Sequence, residues 1–305
     1  MFDPDRLFDP APIFLMFEPS AGLYFGVALV AIAFAKWIND RLTPYSLREE
    51  LTTKDNKAVA LSFGGYLFAV LYIVWSVMGS PTAMDVADAN FVWRDLGSTL
   101  IWSLLGIGLL QVSRIINNKL LLPQFDNFKE LVEDHNLGTG AVQAGTYIGT
   151  ALMIRPVVSG EGQGEFLVDL GLMGLYFVLG QLAFIVFGVL YQRVGKFDLH
   201  GEIEKDNASA GVSFGMTLVA VGIALSGYLL NHDSLLGFLV WFVASAFLLI
   251  LARVLVDRFV LPGAPLDDEV QDDQNWGAAL IEGAVAIGLA LILVASFTPA
   301  PPTAL

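Results

Sequence analysis

An all-α, polytopic transmembrane helical bundle of eight spans, built as four parallel two-helix repeats, is the fold class that the sequence predicts. Three observations predict it. Apolar residues make up 55% of the 305 residues and charged residues 15%, with a mean hydropathy of +0.65, a balance typical of membrane proteins with many spans. Eight apolar segments run at roughly 20–38, 57–79, 95–116, 137–158, 166–191, 208–230, 234–256 and 276–298. A polar-to-small junction recurs four times, as "EELTTKDNKAVALSFGG" (49–65), "ELVEDHNLGTGAVQAG" (130–145), "EIEKDNASAGVSFG" (202–215) and "EVQDDQNWGAALIEG" (269–283).

Each segment can cross a hydrocarbon core of ~30 Å as a helix rising about 1.5 Å per residue. Helices are the expected form because an open strand edge would leave backbone groups unpaired in lipid. The N-terminal segment 1–19 begins "MFDPDRLFDP", which is acidic and unlike the basic start of a cleaved signal peptide. The first span is therefore expected to stay. Repeat units follow at 20–80, 81–160, 161–232 and 233–305, each read as helix, junction, helix. Copies of one orientation make the repeats parallel, related by rotation about the membrane normal.

Aligned on Asn56, Asn136, Asn207 and Asn275, the copies share small residues at the start of every even-numbered span. The fourth and eighth positions after the asparagine hold Ala60 and Gly64, Gly140 and Ala144, Gly211 and Gly215, and Ala279 and Gly283. Such faces let helix backbones approach closely where lipid supplies no hydrophobic drive. A glutamate precedes each asparagine: Glu50, Glu130, Glu202 and Glu269. Seven residues past the asparagine stand Phe63, Gln143, Phe214 and Glu282, an alternation that duplication of a four-helix unit would produce.

Basic residues set the expected orientation. Of 16, the thirteen Lys36, Arg41, Arg48, Lys54, Lys57, Arg114, Lys119, Lys129, Arg193, Lys196, Lys205, Arg253 and Arg258 lie at or beside the junctions. Only Arg6, Arg94 and Arg155 fall toward the other side. Lys and Arg bias governs topology, so the junctions are expected in the cytoplasm and both termini outside. Trp37 and Trp276 would then mark the inner interface, Trp75 and Trp93 the outer.

Several functions are disfavoured. A formal charge of −14 discourages nucleic-acid binding, and the absence of cysteine removes disulfides, thiolate metal sites and cysteine nucleophiles. His135, His200 and His232 are too scattered for a metal cluster, so no metal or cofactor is expected. "GEGQG" (160–164) lacks the Gly-Lys-Ser/Thr ending of a phosphate loop, and no catalytic triad is visible. "DDEVQDD" (267–273) reads as a solvated charge run able to meet a basic partner.

The candidate site residues are polar groups at or inside the spans. Each asparagine suits an N-cap, and the alternative is a polar ring of four at a cytoplasmic mouth. Ser46 with Glu49 fits a capping box on a short junction helix. Glu282 falls about 10 Å into its helix, where an ionisable group is either a proton or cation site or a hydrogen-bonded link to a neighbour such as Gln143. Arg94, Asp95, Arg155 and Asp169 near the outer ends invite pairing, Arg155 with Asp169 or Arg94 with Asp95. Gln111 and Gln181 suit hydrogen bonds between helices.

The stretch "LTPYSLREELTTKDNKAVALSFGGYLF" (42–68) resembles the inner-membrane family labelled domain of unknown function 350, the YjfL-like or UPF0719 proteins. Its marks are a Thr-Pro-aromatic turn, a short acidic helix, an asparagine followed by small residues, and a Gly-rich span. The first copy matches well, the fourth reasonably, the others more loosely. The resemblance implies a bacterial inner-membrane protein in a doubled form, a link to envelope-stress modules, and no catalytic residues. The expected function is thus a non-enzymatic scaffold or partner-binding component in the lipid bilayer, docking proteins at its junctions and open to homo-oligomers. The alternative is an ion or proton channel or transporter using Glu282, Gln143 and the asparagines.

Overall fold

The computed structural model describes residues 19–79, 91–159, 165–232 and 234–297. Residues 1–18 of the N-terminal segment, with Arg6, and the Gly-rich stretch 160–164 lie outside the described residues. Among the described residues twelve α-helices follow one another as four triplets of long, six-residue and long helix. The first triplet is α1 (Pro19–Leu42), α2 (Leu47–Thr52) and α3 (Lys57–Met78). The second is α4 (Phe91–Ile116), α5 (Asn127–Val132) and α6 (Leu137–Val158), and the third α7 (Phe166–Val194), α8 (Leu199–Glu204) and α9 (Ala208–Leu229). The last is α10 (Leu235–Leu255), α11 (Leu266–Gln271) and α12 (Trp276–Phe297). No strand occurs among the described residues.

Each short helix closes through the same turn. The residue before each asparagine, Asp55, His135, Asp206 or Gln274, has a positive φ of 50°, 56°, 62° or 47°. Left-handed backbone lets the asparagine N–H reach back to the glutamate carbonyl of its own copy, at 2.9, 2.8, 3.0 and 2.7 Å in chain order. Asp and His tolerate this region better than most side chains, so three of the four copies meet the turn with suitable residues.

The second long helices, α3, α6, α9 and α12, pack side by side as a row, and the first long helix of each triplet packs against it. Seven of the eight long helices are apolar and long enough to cross a membrane. The other is α6, whose residues from Gly138 to Tyr147 are all buried. A helix so shielded tolerates Gly, Thr and Gln in place of large apolar residues, although α9, as deeply buried, stays apolar.

Small residues set the spacing of the row. A Cβ placed on Gly65 of α3 would lie 2.5 Å from the Ala144 backbone of α6, and one on Gly140 would lie 2.6 Å from the Ala58 carbonyl oxygen. Between α6 and α9, Gly145 abuts the Gly215 backbone, while a Cβ on Gly215 would come 2.5 Å from the Ala141 carbonyl oxygen. Gly211 meets Gly138, and Gly283 of α12 meets Met216 of α9. The contact is directional. The fourth and eighth positions of each later copy rest on the second and ninth positions of the copy before it.

That direction explains where the expected packing residues stand. Gly140, Ala144, Gly211, Gly215, Ala279 and Gly283 are buried, but Ala60 and Gly64 are exposed, with open space beside Gly64. α3 comes first in the row, so no earlier copy covers that face, and it packs through Ala58 and Gly65 instead. At the other end the second and ninth positions of α12, Gly277 and Ala284, are exposed. Gly145→Ala drives a methyl into the Gly215 backbone and is expected to cost about 1–3 kcal/mol, seen as a lower unfolding temperature in detergent. Gly64→Ala should leave that temperature unchanged.

Candidate functional site

All four asparagines cap the helix that follows. Their Oδ1 atoms accept from Val59, Thr139, Ala210 and Ala278 N–H at 3.1, 2.9, 3.2 and 3.1 Å. Their Nδ2 atoms donate to Glu50, Glu130, Glu202 and Glu269 at 2.9, 2.7, 3.2 and 2.7 Å. Three of them also reach the next copy: Asn56 donates to Leu131 O, Asn136 to Ile203 O and Asn207 to Val270 O, at 2.7, 2.5 and 2.8 Å. One side chain thus joins two helices of its own copy to the short helix of the next. The asparagines follow the line of the row, with Asn56 and Asn275 at its ends. Burial pushes Glu50 up, but hydrogen bonds from Lys54 and Asn56 outweigh it and hold the carboxyl below its ordinary value. At Glu130 burial prevails over the Asn136 bond and the shift is upward.

Glu282 sits in a buried cluster at the junction end of the second half, itself only 1% exposed. Tyr191 Oη donates to its Oε1 at 3.0 Å, Ser213 Oγ donates to its Oε2, and Arg253 Nε lies 3.4 Å away. Arg253 also pairs with Asp267 of α11 at 2.6 Å and lies 4.7 Å above the Tyr191 ring. The arginine stands between two carboxylates, so the charges are neutralised locally. Hydrogen bonds and ion pairs link Ser213 and Tyr191 through Glu282 and Arg253 to Asp267.

The first half repeats this geometry with other side chains. Arg114 and Arg253 each stand sixteen residues before the glutamate of their copy. Each is followed by a π-helical turn, Asn117–Leu121 after α4 and Val256–Val260 after α10. Ser62 donates to Gln143 Oε1 at 2.8 Å, as Ser213 donates to Glu282. Arg114 donates to Asn39 Oδ1 at 3.4 Å and to Leu42 O at 3.2 Å, and lies 5.6 Å over Phe128, the counterpart of Asp267. Gln143 donates to Asn118 Oδ1 at 3.2 Å. Glu282 and Gln143 are therefore equivalents in separate clusters and do not meet.

Elsewhere Asp95 accepts from Tyr24, Arg155 donates to Tyr72 Oη at 3.3 Å and stacks on Trp75, and Gln181 donates to Thr150 Oγ1 at 3.0 Å. Gln111 is buried. Sequence reasoning missed Tyr191, Ser213, Asn39 and Ser62, and used Arg114 and Arg253 only for orientation. The shared sixteen-residue spacing of the two arginines is the signal that could have found the clusters.

Repeated helix–junction–helix units, a row of closely packed helices and buried polar clusters define a polytopic helical membrane protein with internal duplication. The model of the family described as Domain of Unknown Function (DUF350) matches residues 13–158 and 165–297, one segment for each half. The chain belongs to that family. It is similar to a UPF0719 transmembrane protein of Aquifex aeolicus (strain VF5), 23% identical over 279 residues, covering 89% of this chain and 98% of the relative. It is also similar to the UPF0719 transmembrane protein YshE of Bacillus subtilis (strain 168), 22% identical over 120 residues, covering 39% of this chain and 88% of the relative. No solved structure matches.

Replacing Arg253 by Met leaves Glu282 and Asp267 buried without their cation, and unfolding in detergent should show a loss of about 3–5 kcal/mol. Glu282→Gln keeps the Arg253–Asp267 pair and the two hydroxyl donors, so the loss should be smaller, about 1.5–3 kcal/mol.

Proposed function

We propose that this chain is a non-enzymatic scaffold of the bacterial inner membrane, spanning it eight times with its junctions in the cytoplasm and both termini outside. It acts by lining up copies of itself and by presenting short acidic helices to partner proteins. The observation that carries this is the row that stays open at both ends. Ala60 and Gly64 at one end are the kind of face that Gly277 and Ala284 at the other would accept. The asparagine bond has the same vacancy: among the described residues Asn275 donates only to its own Glu269, and no asparagine donates to the Leu51 carbonyl, counterpart of Leu131, Ile203 and Val270. A head-to-tail contact between copies would continue three contacts already made inside the chain. On the junction side Glu49, Glu133, Asp134, Glu204, Asp268, Asp272 and Asp273 are exposed, a surface suited to basic partners.

Because the chain contains no cysteine, single substitutions test this cleanly. Membranes containing both Gly64→Cys and Ala284→Cys copies should give a disulfide-linked dimer on mild oxidation, and neither variant alone should. If the mixture yields no dimer, copies do not join through these faces. Pull-downs that lose no partner when the exposed junction acids are neutralised would remove the docking half of the proposal.

A second function, ion or proton passage, is favoured by the buried polar chain from Ser213 and Tyr191 through Glu282 and Arg253 to Asp267. Proton flux into proteoliposomes that falls at least tenfold in Glu282→Gln would support it. Absent or unchanged flux counts against it.

A further inference from the structure

We propose that the first half of the chain holds a single small monovalent anion, of halide size, against Arg114. The site is a small, partly enclosed cavity at the junction end of α3, α4 and α6, lined by Asn39, Tyr45, Ser62, Arg114, Gln143 and Tyr147 among others and about large enough for one water-sized species. Arg114 is 5% exposed, yet among the described residues no carboxylate lies within ion-pair distance of it. A buried cation without a counter-charge is costly, and the cost falls sharply once a negative group is brought to it.

The second half shows what the counter-charge does. There Arg253 Nε faces the Glu282 carboxylate at 3.4 Å, and Tyr191, which occupies the place of Asn39, donates to the same carboxylate. In the first half Gln143 replaces Glu282 and Phe128 replaces Asp267, so both negative charges are gone. The two donors that have lost their acceptor are the counterparts of those groups: Arg114 Nε and Asn39 Nδ2 are both buried and without a partner. Two unused donors, one of them charged, belong to residues that line a cavity of about one-water size where the duplicated half keeps a carboxylate. Arg114 is positively charged and offers N–H donors but no acceptor atoms, so a cation beside it is disfavoured and an anion fits.

The test uses the purified full-length protein in detergent, with chloride exchanged for gluconate at constant ionic strength. Chloride, and bromide in its place, should raise the unfolding temperature by about 2–4 °C in a saturable way. Gln143→Glu supplies the carboxylate from the protein itself and should remove the halide response while keeping the fold. Arg114→Gln, where it folds, should remove it too. A wild-type protein indifferent to halide would mean that the cavity holds water, and a response that persists in Gln143→Glu would place the ion elsewhere. Either result overturns the proposal. Failure of this test leaves the scaffold function untouched, because that function is read from cross-links at Gly64 and Ala284.

Discussion

The fold depends on an asparagine side chain that must satisfy three partners at once. Its carbonyl oxygen caps the helix that follows, and its amide donates to the glutamate of its own short helix. In three of four copies the amide also donates to the backbone of the next copy. Lipid gives helices no hydrophobic reason to associate, so a polar node that ties one unit to the next is worth more here than a single cap. It also fixes register. With Asn136 locked on Ile203 O, the Gly145 backbone falls opposite Gly215 and the close approach along the row follows. The left-handed residue before each asparagine is a cost of that geometry. It recurs in all four copies because the glutamate carbonyl is within reach of the asparagine N–H only through that turn.

Much of this was legible in the chain. Hydropathy and length marked the eight long helices, and the caps were readable because asparagine before a run of small residues leaves little else for its side chain to do. The small-residue pattern located the helices that pack closely, but not the direction of the contact. Positions four and eight of one copy rest on two and nine of its neighbour, so the same residues are buried in α6, α9 and α12 and exposed in α3. Periodicity along one helix carries no information about which neighbour comes before it. The buried clusters were hidden for a related reason. Glu282 could be seen as an acid inside a span, but its partners Tyr191, Ser213 and Arg253 come from three other long helices, and Asp267 from a junction helix.

The low hydropathy of α6 has the same origin. Buried between α3 and α9, it meets helix backbone on both faces, and its Gly and Thr residues allow α3 and α9 to come close on both sides. Making α6 more apolar would make it a better membrane span in isolation and a worse centre for the row. Local hydrophobicity and packing pull in opposite directions, and packing has prevailed.

Duplication then sets two solutions to one electrostatic problem beside each other. A buried arginine ends the first long helix of copies two and four, followed each time by a π-helical turn, which often marks a functional position. In copy four two carboxylates answer it, one from α12 and one from α11. In copy two a glutamine and a phenylalanine stand in the same places. An arginine buried without an opposing carboxylate is the costlier of the two arrangements. Copy two keeps the cation on Asn39, the Leu42 carbonyl and the Phe128 ring after losing both acids, and that asymmetry separates the two halves more sharply than any difference in their folds.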